Sequence, residues 1–225
     1  GGAFRALAPA GSTAPRSAQL NLTDSDALAR AIDEQEPTWV LNCAAQTDVD
    51  AADRDARLAD ELNGLAPGRL ARRCARAGVP LLHISTDYVF SGCDDGLLDE
   101  DRPLDPINRY GQSKARGEGL VLDSGTEALV ARVQWLFGGG SGDFVRFVRG
   151  RGRAGQTVPV VTGQVGTPSY TPDLAAWMVA LERAGARGVV HVANAGEVSR
   201  WDQAGAILAA IGSDARRAPT SWQAL

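Results

Sequence analysis

The sequence predicts an α/β domain built on a doubly wound parallel sheet, and three observations predict it. Short runs of β-branched and aliphatic residues alternate with helical patterns along the chain. The runs are almost continuously apolar, as strands covered on both faces require. Polar, glycine-containing or hydroxyl-rich words follow the ends of several runs, and in such sheets the carboxyl ends of the strands are where ligands bind.

The segment TDSDALARAIDEQEP (23–37) opens on capping residues and stops at Pro37, which predicts a helix. A strand follows at TWVLNCA (38–44). The stretch 50–78 reads as two helical pieces broken near Gly64 and Pro67, the residue types that tolerate a helix interior least. VPLLHIST (79–86) is a buried strand. SGCDDGLLDEDRPLDPIN (91–108), rich in Asp, Pro and Gly, is an irregular excursion of the length that often carries function. A helix over RYGQSKARGEG (109–119) leads to strands at ALVARVQW (128–135) and QTVPVV (156–161). Thr171 and Pro172 start a helix that closes at Gly185, and GVVHVAN (188–194) is a further strand of the same kind. The words after the strands, at 42–47, 85–88, 134–140 and 163–170, are expected to form the floor of one cleft.

The 225 residues suffice for one α/β domain with a substantial core, or a main domain plus a small lobe. A net charge of −4 argues against a nucleic-acid or anionic-membrane partner, and the basic cluster RFVRGRGR (146–153) reads as a solvated helix end. No apolar run reaches membrane-spanning length. Cys43, Cys74 and Cys93 lie far apart with no C-x-x-C pair, so free thiols in a reducing cytoplasm are expected, and no residue is assigned to a metal. His83 and His191 sit inside apolar runs and read as buried strand residues.

The chemistry concentrates in 109–119. Of 23 Lys and Arg residues a single one, Lys114, is lysine, and it stands four residues after Tyr110. On a helix these two share a face. A free phenol ionises near pKa ~10, and a neighbouring positive charge favours phenolate, so the pair is expected to give a proton to a developing alkoxide. A compact ammonium with three rotatable donors can serve a phenol and a sugar hydroxyl together, which a planar guanidinium cannot. Thr86, 24 positions before Tyr110, ends a strand and can hydrogen-bond the same substrate oxygen.

Thr, then Tyr-x-x-x-Lys, on such a sheet resembles the extended short-chain dehydrogenase/reductases, a Rossmann-like group. The words LNCAAQTDVDAAD, HISTDYVFSG, PINRYGQSKARGE, QWLFGGGSGDFV and GQVGTPSYTPDLA occur in order over nearly the whole chain. Together they resemble the dTDP-4-dehydrorhamnose reductases. The resemblance implies Tyr110 as proton donor, Lys114 as its partner and ribose ligand, and Thr86 on the substrate carbonyl. It implies Asp87 and Trp135 as sugar contacts, Trp135 through an apolar face. Ala44, Ala45, Gln46 and Thr47 would line the nicotinamide nucleotide, and Asn21 with Leu22 would flank the adenine. Residues 1–135 would form the dinucleotide-binding core, and 136–225 a substrate-binding portion interleaved with the last core strands. The implied reaction is reduction of the C4 keto group of dTDP-4-dehydro-L-rhamnose to dTDP-L-rhamnose in the cytoplasm. Sister dehydratases read Thr-Asp-Glu where this chain has Thr86–Asp87–Tyr88, which favours a reductase.

The family's first strand and glycine-rich loop are expected to lie outside these 225 residues, since GGAFRALAP resembles only the last glycine and the helix after it. Arg16, Ser12 and Thr13 stand where an acidic residue would bind the ribose of NAD, so NADPH is favoured, with NADH left open. Magnesium and a homodimer are also left open. ARVQW and SGDF depart from the family's usual words near the sugar and could shift substrate choice to another nucleotide-linked 4-ketosugar. An alternative is a non-catalytic NADP-binding regulatory role, like that of the methionine adenosyltransferase beta subunit, which is similar to the same family.

Overall fold

The computed structural model describes residues 2–8, 11–16, 18–93, 96–139 and 142–221. Ser17 of the expected NADPH-selecting segment, Gly140 and Ser141 of the glycine word after Trp135, and Asp94 and Asp95 of the long excursion lie outside them. By their contacts the described residues form two compact units, one of 8–133 with 178–192, the other of 2–7, 134–177 and 193 onward.

Helix α1 (Gly2–Leu7) is short, and α2 (Ser25–Gln35) is capped by Asp24, whose side chain accepts from the Asp26 and Ala27 amides. It ends at Glu36, in the left-handed conformation at φ 40°, just before Pro37. Strand β1 (Val40–Asn42) leads to α3 (Val49–Arg54) and α4 (Ala56–Ala59). A wide π turn at Asp60–Leu65 passes straight into α5 (Ala66–Ala77). The expected break near Gly64 and Pro67 is therefore absent. The interruption falls instead at Asp55, whose carboxylate accepts from the Leu58 amide and restarts the helix. Gly64 is taken up by the π turn, and Pro67 follows it at the start of α5, where the widened turn accommodates a residue without an amide hydrogen.

Next come β2 (Leu81–Thr86), a single 3₁₀ turn at Asp87–Val89, α6 (Arg109–Leu122) and β3 (Ala128–Val133). Then follow β4 (Leu136–Phe137), α7 (Phe144–Arg153), β5 (Val158–Val161), β6 (Val165–Gly166), β7 (Ser169–Tyr170) and α8 (Thr171–Arg183). The last elements are β8 (Gly188–His191), β9 (Val198–Ser199), α9 (Arg200–Ala210) and β10 (Arg217–Thr220).

The first unit holds the parallel sheet, in the order β1-β2-β3-β8. Leu81 pairs with Val40 on one side and Ala128 on the other, and Val130 pairs with Val189. Every residue of β3 is buried, as the apolar run required. Leu28 and Ile32 of α2, Leu70 and Cys74 of α5 and Val121 of α6 pack with Leu81, Ala128 and Val130 into one cluster. At roughly 1.5–3 kcal/mol for each large apolar side chain buried, this cluster contributes substantially to holding the sheet.

Buried Arg132 of β3 is answered by Glu118 of α6, at 2.8 Å, and also donates to the Glu100 carbonyl. The Glu100 side chain accepts from the His191 amide, so the 91–108 excursion is tied to β8. His83 is fully buried as expected, whereas His191 is only half-buried at the end of β8.

The second unit is made of short ribbons. The run 156–161 forms a strand, but it pairs in parallel with β10 and not with the main sheet. An apolar run specifies a strand without specifying its partner, which is why the sequence placed it with the others. Val148 of α7, Val158 and Val160 of β5, and Ala204 and Leu208 of α9 form that unit's core. β4 pairs in parallel with β7, and β6 antiparallel with β9. The basic cluster 146–153 runs along α7 to its end, where Arg151 and Arg153 complement the helix dipole.

Candidate active site

Strand β2 delivers Thr86 to the carboxyl end of the sheet. Its hydroxyl accepts from the Tyr88 amide at 3.3 Å and donates to the Asp87 carboxylate at 3.1 Å. The Thr86 side chain also acts on the Tyr110 phenol, favouring its charged form. The phenol is placed by the first turn of α6, which Asn108 caps by accepting from the Gly111 amide at 2.8 Å. Gly111 permits that approach, since a Cβ there would lie 2.1 Å from the Tyr88 carbonyl oxygen. The Tyr88 and Tyr110 rings meet edge to face, with centroids 5.6 Å apart.

One turn on, Lys114 is 2% exposed. Its Nζ donates to the Ile84 carbonyl at 2.6 Å and lies 3.4 Å from Nε2 of His83. Gly117, which weakens the helix in isolation, has a packing reason: a Cβ would meet the Asn63 carbonyl oxygen at 2.1 Å. Gly119 has no such neighbour.

Burial pushes the Tyr110 phenol up to about 12, with the Thr86 hydrogen bond opposing and the Asp87 and Tyr88 charges adding to the rise. Burial likewise brings Lys114 down to about 8, against the opposing pull of Glu118 and Cys43. The expected lowering of the phenol is not what this geometry produces. The amine is engaged by Ile84 and His83, and desolvation of the phenolate outweighs the Thr86 hydrogen bond.

The loop after β1 runs from Asn42, whose Oδ1 accepts from the Ala44 amide at 3.0 Å. Ala44 and Thr47 are exposed, and Ala45 and Gln46 half-buried. A residue the sequence reading passed over, Asn63, holds this loop. Fully buried in the π turn, it accepts from the Gln46 amide at 2.8 Å and donates to the Gln46 carbonyl at 3.0 Å. It also donates to the Ser113 hydroxyl, which bonds back to the Tyr110 carbonyl, so loop and helix are linked. The available signal was an Asn beside a Gly in mid-helix, a residue type that prefers to bond backbone. Asn21 closes an Asx turn on Thr23, and Leu22 packs against the core cluster.

Trp135 lies in the second unit, in the left-handed conformation at φ 44°. The Arg200 guanidinium stacks over its ring at 3.5 Å from the centroid, and a Cβ on Gly166 would touch the ring at 2.7 Å. The indole is thus packed by its own unit, and Arg200 is a second residue that the sequence reading passed over. Among the described residues no group of three or more His, Cys, Asp or Glu could hold a metal ion, and no helix is long and apolar enough to cross a membrane.

A parallel sheet carrying a Thr, a Tyr and a Lys one helical turn later at its carboxyl end defines an α/β protein of the extended short-chain dehydrogenase/reductase kind. The chain belongs to the RmlD substrate binding domain family, whose model matches residues 4–224. It is 43% identical over 209 residues to a protein of Mycobacterium tuberculosis named dTDP-4-dehydrorhamnose reductase, covering 89% of this chain and 67% of that one. A Mycolicibacterium smegmatis protein of the same name is 41% identical over 204 residues, and this chain spans 62% of its length. The crystal structure of dTDP-4-dehydrorhamnose reductase from Bacillus anthracis in complex with NADP superposes with a TM-score of 0.90 at 30% identity. That likeness covers 93% of this chain and 75% of the other.

Proposed function

We propose that the protein reduces the C4 keto group of dTDP-4-dehydro-L-rhamnose with NADPH, giving dTDP-L-rhamnose in the cytoplasm. The observation that carries this reading is buried Thr86 at the end of β2 acting on the Tyr110 phenol, with buried Lys114 one turn further along α6. Residues 1–135 serve the dinucleotide and 136–225 the sugar, with Asp87 and Trp135 as sugar contacts.

The residues present suit the nicotinamide-ribose half of the cofactor. Ala44 and Ala45 put minimal side chains over the open end of the sheet, and the Asn63 clamp holds the loop's backbone in place. With one hydrogen bond to Ile84 and one contact with His83, the Lys114 nitrogen keeps a donor for a ribose hydroxyl. Exposed Arg16, with Ser12 and Thr13, provides for a 2′-phosphate.

When bound, NADPH supplies the hydride that reduces C4. The side chains manage the proton. Thr86 holds the carbonyl oxygen, and Tyr110 gives it the phenolic proton as negative charge develops there. The resulting phenolate regains its proton from solvent. A phenol as weakly acidic as Tyr110 keeps its proton at neutral pH until the developing alkoxide, a stronger base, takes it.

Incubation with NADPH and the 4-keto sugar nucleotide, following loss of the reduced-nicotinamide absorbance, tests this. Tyr110→Phe should slow the decay by about 10²- to 10⁴-fold, the usual range for a lost general acid. An unimpaired variant would overturn the mechanism. No decay with wild type that still binds NADPH would favour the regulatory reading.

A further inference from the structure

Asn42 and His83 take no part in the proposed chemistry, yet they complete a hydrogen-bonded line running from the loop after β1 to the catalytic lysine. Its direction follows from the amide of Ala44. That N–H is a donor, so the Asn42 atom facing it must be Oδ1. The Asn42 Nδ2 group then faces His83 Nδ1 at 3.0 Å and can only donate. Nδ1 must therefore be unprotonated. Burial holds this imidazole neutral whichever form Lys114 takes, so its single hydrogen is on Nε2. That N–H looks at Lys114 Nζ across 3.4 Å.

The geometry points to Asn42 and His83 as positioning residues that turn a hydrogen-bond donor toward the Lys114 nitrogen and so favour its unprotonated, lone-pair-bearing form. An ammonium at Nζ would oppose N–H to N–H, whereas a neutral amine accepts from His83 and still donates to Ile84. The other groups facing Lys114 are Glu118 on its own helix and Cys43 beyond β1, and both favour the charged form. Glu118 is itself paired with Arg132 of β3. The donor on His83 thus acts in the same direction as burial, which already places Lys114 near the pH of the cell. A lysine so poised can give a proton to the Tyr110 phenolate after the reduction and take one back from solvent. The inference deepens the reductase reading and relies on it for meaning, but its readouts require neither cofactor nor substrate.

The sequence makes the test direct. Lys114 is the single lysine in the 225 residues, so the protein grown on ¹³C-lysine shows one ε-carbon resonance, assigned by its disappearance in Lys114→Arg. The two histidines can likewise be told apart, and their tautomers read from ¹⁵N shifts. Nε2–H is expected for His83, and an Nδ1–H tautomer or an imidazolium at pH 7 would overturn the proposal without any variant. The lysine midpoint should lie near 8 and rise by about one unit or more in His83→Leu. Burial alone predicts the opposite, since an apolar neighbour leaves the midpoint unchanged or lowers it, and that result also sinks the inference. Asn42→Asp should move the His83 proton to Nδ1 and raise the lysine midpoint. Loss of NADPH turnover with an intact Nε2–H tautomer would remove the reductase reading alone.

Discussion

The end of the parallel sheet and the ribbon unit that carries Trp135 solve different problems with different materials. At the sheet end, Thr86, Tyr110, Lys114 and His83 are all at most 9% exposed, and His83 and Lys114 are hydrogen-bonded to β1 and β2. In the other unit, β4, β6, β7 and β9 are two residues long, and Trp135 relies on a strained backbone and a stacked arginine. Rigid, deeply packed elements hold reacting groups to small tolerances, and short ribbons can be re-cut without disturbing them. Under the proposed function, proton chemistry falls to the sheet and choice of sugar to the ribbons. Substitutions should then cost most in the first region and least in the second.

The largest effect is expected where the sheet end is braced. Arg132 and Glu118 are both nearly inaccessible, and Arg132 also stacks on Phe90 at 5.1 Å. Glu118→Gln leaves a buried guanidinium without its counter-charge, a change that costs about 3–5 kcal/mol. In a chain of this size the midpoint of thermal unfolding should fall by roughly 10 °C. The same substitution removes the carboxylate that supports charge on Lys114, so the lysine midpoint should fall below its wild-type value. A wild-type melting curve for Glu118→Gln would show that the sheet end is less tightly determined than its burial implies.

A second effect isolates the lysine. Its ordinary value of 10.5 applies to the unfolded chain, and about 8 to the folded one. Between those values the unfolded chain holds a proton that the folded chain does not, so stability rises with pH across the window. Below it the full cost of burying the charge is felt. The total is on the order of 3 kcal/mol. Lys114→Met removes the term, so the stability difference, wild type minus variant, measured by denaturant unfolding, should climb by that amount from pH 8 to 10.5. Tyr110 works the other way at higher pH, because a phenol raised to about 12 loses its folded-state advantage only above 10. A flat difference across the window would mean that Lys114 is solvated in the folded chain.

The same contrast explains what was legible in the sequence. Periodicity announced β2, β3, α2 and α8, and a lone lysine at helical spacing from Tyr110 marked the candidate site. Asn63 carried only the mark of an Asn beside a Gly in mid-helix, which does not say that the backbone it holds is 17 residues away. Asn42 and His83 carried none, because a buried histidine in a strand has no local mark of its partner. The phenol's direction was misjudged for a related reason: spacing shows that a charge is near, but not how dry the site is. In the ribbon unit the loss was greater. The run at 156–161 told of a strand but not of β10, and nothing in QWLF foretold that Arg200 would arrive over Trp135.

The smallest effect concerns that arginine. A guanidinium stacked on an indole at a half-buried position contributes about 0.5–1 kcal/mol, little more than a surface ion pair. Arg200 also touches Phe144, at 4.7 Å, and donates to Gln203 at 3.0 Å, so its removal loosens the ribbon without opening the core of Val148, Val158 and Leu208. Arg200→Ala should therefore lower stability by about 1 kcal/mol or less, read by denaturant unfolding, while the Trp135 fluorescence shifts as its cover is removed. If the ribbons choose the sugar, KM for the keto sugar nucleotide should change with little change in kcat, since the groups that move the proton are in the other unit. A fall in kcat at constant KM would instead tie Arg200 to the reacting centre, and the division of labour between sheet and ribbon would have to be redrawn.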